Sequence, residues 1–149
     1  MTETRLFVYG TLMPGQERHD LLAGWVGEKQ PGTLNGWLFG LPEGYPALVL
    51  PAHTLHGELL PGEPRPVHGV LCTCRDDASL FETLDRYEDS VPGDPDSLYV
   101  RARVDVAEDG EGVVRAWAYV WNPARLVEIL GRGMHLPEGR WAPRSVAPR

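Results

Sequence analysis

Two short segments of the chain carry residue types that could move a proton beside a bound anion. The first is the strand-like stretch 5–12, in which Gly10 lets the backbone turn sharply. Such a turn leaves consecutive N–H groups aimed at one point, where they can hold a carboxylate or a developing oxyanion without a charged side chain. The second is the segment 84–88, which ends in Glu88, a carboxylate able to accept and return a proton. These residue types indicate acid–base chemistry on a small substrate.

The segment that begins near Asp76 or Asp77 has the period of an amphipathic helix, and its apolar stripe consists of Leu80, Phe81, Leu84 and Tyr87. At about 100° per residue, Glu88 falls inside the same arc, whereas Glu82 and Asp89 fall outside it. Burial and the negative end of the helix dipole would both disfavour the Glu88 carboxylate and raise its pKa toward neutrality. The alternative is that Glu88 lies on a frayed last turn and faces solvent.

The elements that must position these residues are mostly strands. Apolar alternation and turn residues predict strands at 5–9, 33–41, 47–50, 67–74, 98–106 and 113–121, with a hairpin connection at 108–112. A short helix is predicted at 17–24, and a later one starts at Asn122-Pro123 and ends at Gly131. Trp117, Tyr119 and Trp121 alternate on one strand face, where they would line a pocket or pack a barrel interior.

Length and charge set limits on the class of protein. A chain of 149 residues with 42% hydrophobic content predicts one globular domain, residues 1–149. The net charge of −7 and the pI near 5.2 argue against a nucleic-acid partner, which requires a basic patch. The N-terminal residues do not resemble a secretory signal, and no apolar run is long enough for a membrane span.

The cysteines and histidines predict no metal site. Cys72 and Cys74 are the only cysteines, and as neighbours on one strand face they would be buried thiols, which suits a reducing cytoplasm. A pair of thiols cannot complete a tetrahedral metal site by itself. His53 and His56 lie in a proline-flanked segment without a nearby third ligand, so we expect ordinary turn histidines.

The order of several short motifs is more specific than any one of them. The motifs are Phe7-Val8-Tyr9-Gly10-Thr11-Leu12, Gly15-Gln16-Glu17-Arg18-His19, Tyr45-Pro46-Ala47-Leu48-Val49, Val67-His68-Gly69-Val70-Leu71, Leu84-Asp85-Arg86-Tyr87-Glu88 and Tyr99-Val100-Arg101. In this order, over most of the chain, they resemble the gamma-glutamylcyclotransferase-like family, in particular its AIG2-like and gamma-glutamylamine cyclotransferase branch.

The resemblance implies an α+β fold, a small closed or nearly closed mixed β-barrel with a few short helices. It implies an enzyme that cyclises a gamma-glutamyl amide to 5-oxoproline and releases an amine, without cofactor or metal. Glu88 matches the family's catalytic glutamate. The loop of Tyr9, Gly10, Thr11 and Leu12 matches its substrate-binding loop, and Tyr99 is a further candidate for orienting the substrate. The partner is then a small gamma-glutamyl amine or peptide, and the oligomeric state is open.

Two departures from the family pattern bear on specificity. The family usually continues with glycine after the glutamate, whereas here a longer polar loop spans residues 89–97. We expect this loop to border the site, where its acids would favour a cationic or amine-bearing leaving group. The threonine that follows Gly10, Thr11, is similar to the AIG2-like branch, whereas the enzymes that act on dipeptides have serine-asparagine after this glycine. The alternative to an enzyme is a non-catalytic member that binds a small metabolite or peptide end.

Overall fold

In the computed structural model, the described residues are 3–10, 24–54, 60–75, 78–88, 90–91, 93–108 and 112–141. Their strands are β1 (Glu3–Val8), β2 (Val26–Gly40), β3 (Pro46–Val49), β4 (Arg65–Arg75), β5 (Tyr99–Glu108), β6 (Gly112–Trp121) and β7 (Met134–His135). The α-helices are α1 (Ala78–Tyr87) and α2 (Leu126–Arg132), and single 3₁₀ turns cover Pro51–His53 and Pro123–Arg125.

Five of these strands close into a barrel in the order β2, β4, β1, β6 and β5, with β5 returning to β2. The β1–β6 pair is parallel, and the other pairs in the ring are antiparallel. The far half of β2 extends beyond the ring and pairs with β3 and β7. The expected fold, a small closed mixed barrel with short helices, is therefore confirmed.

Side chains on the two faces of the barrel wall form two separate apolar clusters. The inner cluster uses small or branched residues on β5 and β6, among them Val104, Val106, Ala116, Ala118 and Val120. The outer cluster includes the helix residues Leu80, Leu84 and Ile129 together with the large aromatic residues Tyr99, Tyr119 and Trp121. Because successive strand residues point to opposite faces, β5 and β6 turn these small or branched residues to one face and their large aromatic residues to the other.

Some predicted boundaries differ from the observed ones. Strand β2 begins at Val26 rather than at residue 33, because its polar, largely exposed first part pairs with β4 despite lacking apolar alternation. The later helix begins as a 3₁₀ turn capped by Asn122, whose side-chain oxygen accepts from the Ala124 N–H. The predicted stop at Gly131 is wrong, because α2 continues to Arg132 and is capped by Gly133.

The remaining expectations fall at the edge of the described chain. The helix predicted at 17–24 lies outside the described residues except for Gly24, which is in a turn. The hairpin predicted at 108–112 joins β5 to β6, whose last described pair is Glu108 with Gly112. None of the helices in the described parts has the length and apolar character required to cross a membrane.

Closure of the barrel around Gly69 gives a prediction about stability. A Cβ at Gly69 would lie against the Val8 carbonyl oxygen and 2.7 Å from the Phe7 ring. We therefore expect Gly69→Ala to lower the free energy of unfolding by about 1–3 kcal/mol, measured by urea denaturation. Gly27→Ala is the matched control, since its Cβ would meet only the Thr73 carbonyl at 3.5 Å. Equal stability of the two variants would contradict the tight packing.

Candidate active site

A cavity of about 380 Å³ lies where the end of β1, the last turn of α1 and the start of β3 meet. This volume suits a small metabolite. Its described lining is rich in tyrosine and contains two glutamates but no arginine, lysine or histidine. The lining residues are Phe7, Val8, Tyr9, Gly10, Glu43, Gly44, Tyr45, Pro46, Tyr87, Glu88, Leu98, Tyr99 and Tyr119.

Glu88 enters this cavity from the turn directly after α1. Leu80 and Leu84, the apolar anchors of the helix, are fully buried, and the Glu88 N–H donates to the Leu84 carbonyl at 2.8 Å. Glu88 is half-buried, whereas Glu82 on the same helix is exposed, as the helical period predicts. Loss of hydration raises the pKa of Glu88 from 4.5 to about 8. The carboxyl group can therefore exchange a proton near neutral pH.

Tyr9 and Tyr99 lie in the same cavity and direct their hydroxyl protons at backbone carbonyls. The Tyr9 hydroxyl donates to the Tyr119 carbonyl at 2.6 Å, and the Tyr99 hydroxyl donates to the Pro46 carbonyl at 2.5 Å. Burial raises the pKa of both phenols well above 10, and the negative charge of Glu88 adds to the effect. Both groups therefore stay neutral, and each oxygen still has a lone pair with which to accept a hydrogen bond.

Gly10 borders the cavity, but not because it needs a left-handed backbone. Its φ is not positive, so of the two possible reasons for a glycine here, a positive φ or a close approach, only the second remains. What Gly10 provides is space, because a Cβ there would lie 2.5 Å from Cγ of Pro46. Thr11 and Leu12, the other members of the predicted loop, lie outside the described residues.

The structure adds lining residues that the sequence did not single out as site residues. Tyr119 belongs to a strand pattern that alternates with two tryptophans, and Pro46 belongs to one of the family motifs. Neither pattern predicts that both residues line the same cavity as Glu88. The loop 89–97 was expected to border the site. None of its described residues lines the cavity, and the backbone carbonyls of Asp94 and Ser97 accept hydrogen bonds from the Asn122 side chain.

The acid at the mouth of the cavity is instead Glu43, which lies before β3. Its carboxylate is paired with Arg132 at the end of α2, and both side chains are partly exposed. Arg132 also lies 3.7 Å from Glu128, so its positive charge is shared between two carboxylates. The mouth is therefore a polar rim whose glutamate is held in place by a residue of α2.

The cysteines lie away from this cavity. Cys72 and Cys74 are both buried free thiols in the outer cluster, as predicted. Burial raises their pKa values to about 11 and about 12, so both remain protonated at neutral pH. In the described part of the chain, no three potential metal ligands come together.

Comparison with known proteins agrees with the fold and shows the family. The family model for gamma-glutamyl cyclotransferase, AIG2-like, matches residues 6–143, and the chain belongs to this family. A curated relative, the gamma-L-glutamyl-butirosin B gamma-glutamyl cyclotransferase of Niallia circulans, is 30% identical over 118 residues. That match covers 78% of this chain and 66% of the relative, so it spans just under two thirds of the longer protein.

Two solved structures show the same fold at low sequence identity. An AIG2-like protein from Mus musculus has a TM-score of 0.65 and 22% identity, and the match covers 99% of this chain and 100% of the mouse protein. YkqA from Bacillus subtilis has a TM-score of 0.63 and 23% identity, and the match covers 94% of this chain but 40% of YkqA.

The raised pKa of Glu88 predicts how stability depends on pH. The folded-state pKa of about 8 exceeds the ordinary value of 4.5, so the folded protein holds this proton more tightly. The resulting stabilisation is complete below the ordinary value and is lost as the pH rises through about 8. Relative to Glu88→Gln, the wild type should lose stability between these values, on the order of a few kcal/mol at ~1.4 kcal/mol per pKa unit.

Urea denaturation of both proteins across this pH range measures the difference. Glu82→Gln is the matched control, because Glu82 is exposed on the same helix. Its stability should follow the wild type at every pH. Parallel curves for wild type and Glu88→Gln would show that Glu88 is not desolvated.

Proposed function

We propose that the protein cleaves a gamma-glutamyl amide by intramolecular cyclisation, which gives 5-oxoproline and a free amine. One observation carries this proposal: a desolvated carboxyl group, Glu88, shares a small cavity with Gly10 at the end of β1. Membership of the gamma-glutamyl cyclotransferase, AIG2-like family supports the reaction type. The cyclotransferase name of the Niallia circulans relative supports it as well.

The reaction needs a base, an acid and a folded substrate. The α-amine nitrogen of the glutamyl group attacks its own γ-carbonyl carbon, a five-membered lactam forms, and the bond to the leaving amine breaks. No water is consumed, and no cofactor is required by this route. A substrate held in the curved conformation gains the high effective concentration of an intramolecular reaction, roughly 10⁵ M or more in favourable cases.

Glu88 performs both proton transfers in this scheme. Its carboxylate removes a proton from the α-ammonium group, which frees the nucleophile, and then returns that proton to the departing nitrogen. The second proton that the attacking nitrogen loses as the lactam forms follows the same route, so the products are the lactam and an ammonium ion. An ordinary glutamate is too weak a base to deprotonate an ammonium group readily. A pKa of about 8 brings the pKa of Glu88 closer to that of the ammonium group. The same proton is then available for the leaving nitrogen, so one residue serves as base and acid.

The surrounding groups orient the substrate. The oxygens of Tyr9 and Tyr99 accept hydrogen bonds from the α-ammonium group, since their own protons are engaged by backbone carbonyls. Backbone amides of the segment Gly10, Thr11 and Leu12, as the family resemblance implies, bind the substrate carboxylate or the oxyanion. The described lining contains no cationic side chain, so in this scheme amide groups supply the positive electrostatic potential.

The leaving group is an amine rather than an acidic fragment. Glu43 stands at the mouth, where its charge would repel a second carboxylate and attract a cation. The name of the Niallia circulans relative gives gamma-L-glutamyl-butirosin B as that protein's substrate, which makes this compound a reasonable probe. A reducing cytoplasm is the expected location, because the buried thiols are free.

A substrate panel tests the proposed activity directly. The purified protein is incubated with gamma-glutamyl alkylamines, gamma-glutamyl polyamines, gamma-L-glutamyl-butirosin B and gamma-glutamyl dipeptides, and 5-oxoproline is quantified by mass spectrometry. Release from at least one amine substrate is the expected result. Binding of these compounds without 5-oxoproline formation would favour the non-catalytic module that binds a small metabolite or peptide end.

Replacement of Glu88 by glutamine should remove the chemistry while keeping the shape. We expect Glu88→Gln to lower kcat by about 10²–10⁴-fold, the usual contribution of a positioned acid–base group. Binding of 5-oxoproline, measured by calorimetry, should be largely retained. Glu82→Gln is the control on the exposed face of α1 and should behave as the wild type. Near-normal turnover by Glu88→Gln would exclude Glu88 as the acid–base residue.

Insertion of a methyl group at Gly10 should disturb the cavity wall. The new Cβ would press on the Pro46 ring, whose carbonyl anchors the Tyr99 hydroxyl. We expect Gly10→Ala to lower kcat/KM at least about tenfold, because misplacement of binding groups by even 1 Å is costly. Steady-state kinetics measure the effect, with Gly27→Ala as a glycine control outside the cavity. Unchanged kinetics would remove Gly10 from the binding site.

A further inference from the structure

Helix α1 ends directly before Glu88, and it is held on the barrel wall mainly by side-chain contacts. Its two fully buried residues, Leu80 and Leu84, pack into the outer cluster, and Phe81 meets Trp117 edge-on with ring centres 6.0 Å apart. These apolar contacts hold the helix against the wall. These contacts include no hydrogen bond, however, that would fix the rotation of the helix or its distance from the wall at the end next to Glu88.

Asp85 supplies that polar connection, one helical turn before Glu88. Its Oδ1 accepts a hydrogen bond from the Tyr119 hydroxyl on β6 at 2.5 Å, and it lies 3.5 Å from a guanidinium nitrogen of Arg101 on β5. Arg101 also stacks on Phe81 with its guanidinium carbon 4.2 Å from the ring centre. Asp85 is therefore held from two neighbouring strands, and its partner Arg101 also contacts the helix.

The backbone of Asp85 takes part in the same turn. Its carbonyl accepts the Ser90 N–H at 2.8 Å, while the Leu84 carbonyl accepts the Glu88 N–H at the same distance. Glu88 therefore lies in a turn that is closed by hydrogen bonds to the carbonyls of two fixed helix residues, Leu84 and Asp85. Asp85 does not line the cavity, so it cannot touch a substrate there directly.

Tyr119 connects this anchor to the opposite wall of the cavity. Its ring lines the cavity, its hydroxyl leaves the cavity toward Asp85, and its backbone carbonyl accepts the Tyr9 hydroxyl at 2.6 Å. One residue of β6 thus fixes both the helix that carries Glu88 and the tyrosine that faces Glu88 from the end of β1.

We propose that Asp85 and Tyr119 are positioning residues, whose hydrogen bond holds the last turn of α1 so that Glu88 stays inside the cavity. Without this bond the turn can rotate or lift, and the Glu88 carboxylate then reaches solvent. The proposal rests on the proposed function for its catalytic consequence, but the position of Glu88 itself is independent of any substrate.

Tyr119→Phe is the informative variant, since it keeps the ring in the cavity wall, removes only the hydroxyl and changes no charge at neutral pH. The groups that face Glu88 across the cavity are otherwise unchanged: Tyr9, Glu43, Tyr45, Tyr87 and Tyr99. A shift in the pKa of Glu88 in this variant must therefore come from a change in position. Asp85→Asn is the second variant, which keeps an oxygen acceptor but weakens the attraction to Arg101.

The first measurement is NMR titration of protein labelled with ¹³C at glutamate side-chain carboxyls, with the Glu88 signal assigned by its loss in Glu88→Gln. We expect the pKa of Glu88 to fall by ~1 unit or more in Tyr119→Phe and in the same direction in Asp85→Asn. Asp105→Asn is the control, because it breaks the exposed Asp105–Arg115 pair on the same two strands. An unchanged Glu88 pKa in folded Tyr119→Phe or Asp85→Asn overturns the proposal.

The second measurement applies once a substrate is known. We expect kcat to fall about 10–100-fold with KM changed less than about threefold, since substrate contacts remain but the base is misplaced. The acid limb of the kcat/KM profile should move to lower pH together with the Glu88 pKa. A loss of activity without this movement would mean that the pair acts by another route. A shifted pKa in a protein without cyclotransferase activity would support the positioning role while refuting the proposed function.

Discussion

The burial of one carboxyl group at the end of a helix is the interaction on which the site depends. A carboxylate that loses its water without gaining a cation is unstable, so the protein either keeps the group protonated or lets it escape to solvent. Here the described cavity wall offers tyrosines and no cation, and the pKa of Glu88 rises to about 8 as a result. The fold must therefore hold Glu88 in a position that its ionised form disfavours.

The barrel explains where such a position can exist. Its interior is filled by a second apolar cluster, and the close packing at Gly32 and Gly69 leaves no room even for a methyl group. A five-stranded ring of this kind leaves little space inside for a ligand. The cavity instead forms at the rim, where β1 ends, β3 begins and α1 comes down over the outer face. Large aromatic residues on that face form its wall and also support the helix.

The sequence predicted the orientation of Glu88 better than it predicted the edges of the elements. The period of α1 placed Glu88 with the apolar stripe and Glu82 outside it, because helical geometry is local and regular. The polar start of β2 at Val26 could not be predicted, since its pairing with β4 is a long-range interaction without an apolar pattern. The end of α2 beyond Gly131 could not be predicted for a similar reason. A glycine within a helix is tolerated when tertiary packing supports it, and that packing is not visible in the local sequence.

The parts of the site that escaped the sequence are those made by contacts between distant segments. Gly10 was expected to matter for its backbone freedom, but the structure shows that its importance lies in its closeness to Pro46. Tyr119 and Asp85 are 34 positions apart, and the periodicity of a strand or of a helix cannot predict a contact between the two elements. Their pairing is possible because Tyr119 faces outward beneath α1, on the same face as Trp117 and Trp121.

The arrangement of tyrosines has a chemical consequence that goes beyond packing. Tyr9 and Tyr99 each give their only proton to a backbone carbonyl, so each presents oxygen lone pairs rather than a donor to the rest of its surroundings. Beside a protonated glutamate this would be a neutral, weakly basic pocket, and with an ionised glutamate it becomes a site that attracts ammonium groups. In the proposed reaction, a substrate that brings its own ammonium group would stabilise the ionised form of Glu88 on binding, so the substrate would generate the base that deprotonates it. The high pKa of Glu88 and the basicity that the proposed reaction needs would then share one cause, a described cavity lining without a cationic side chain.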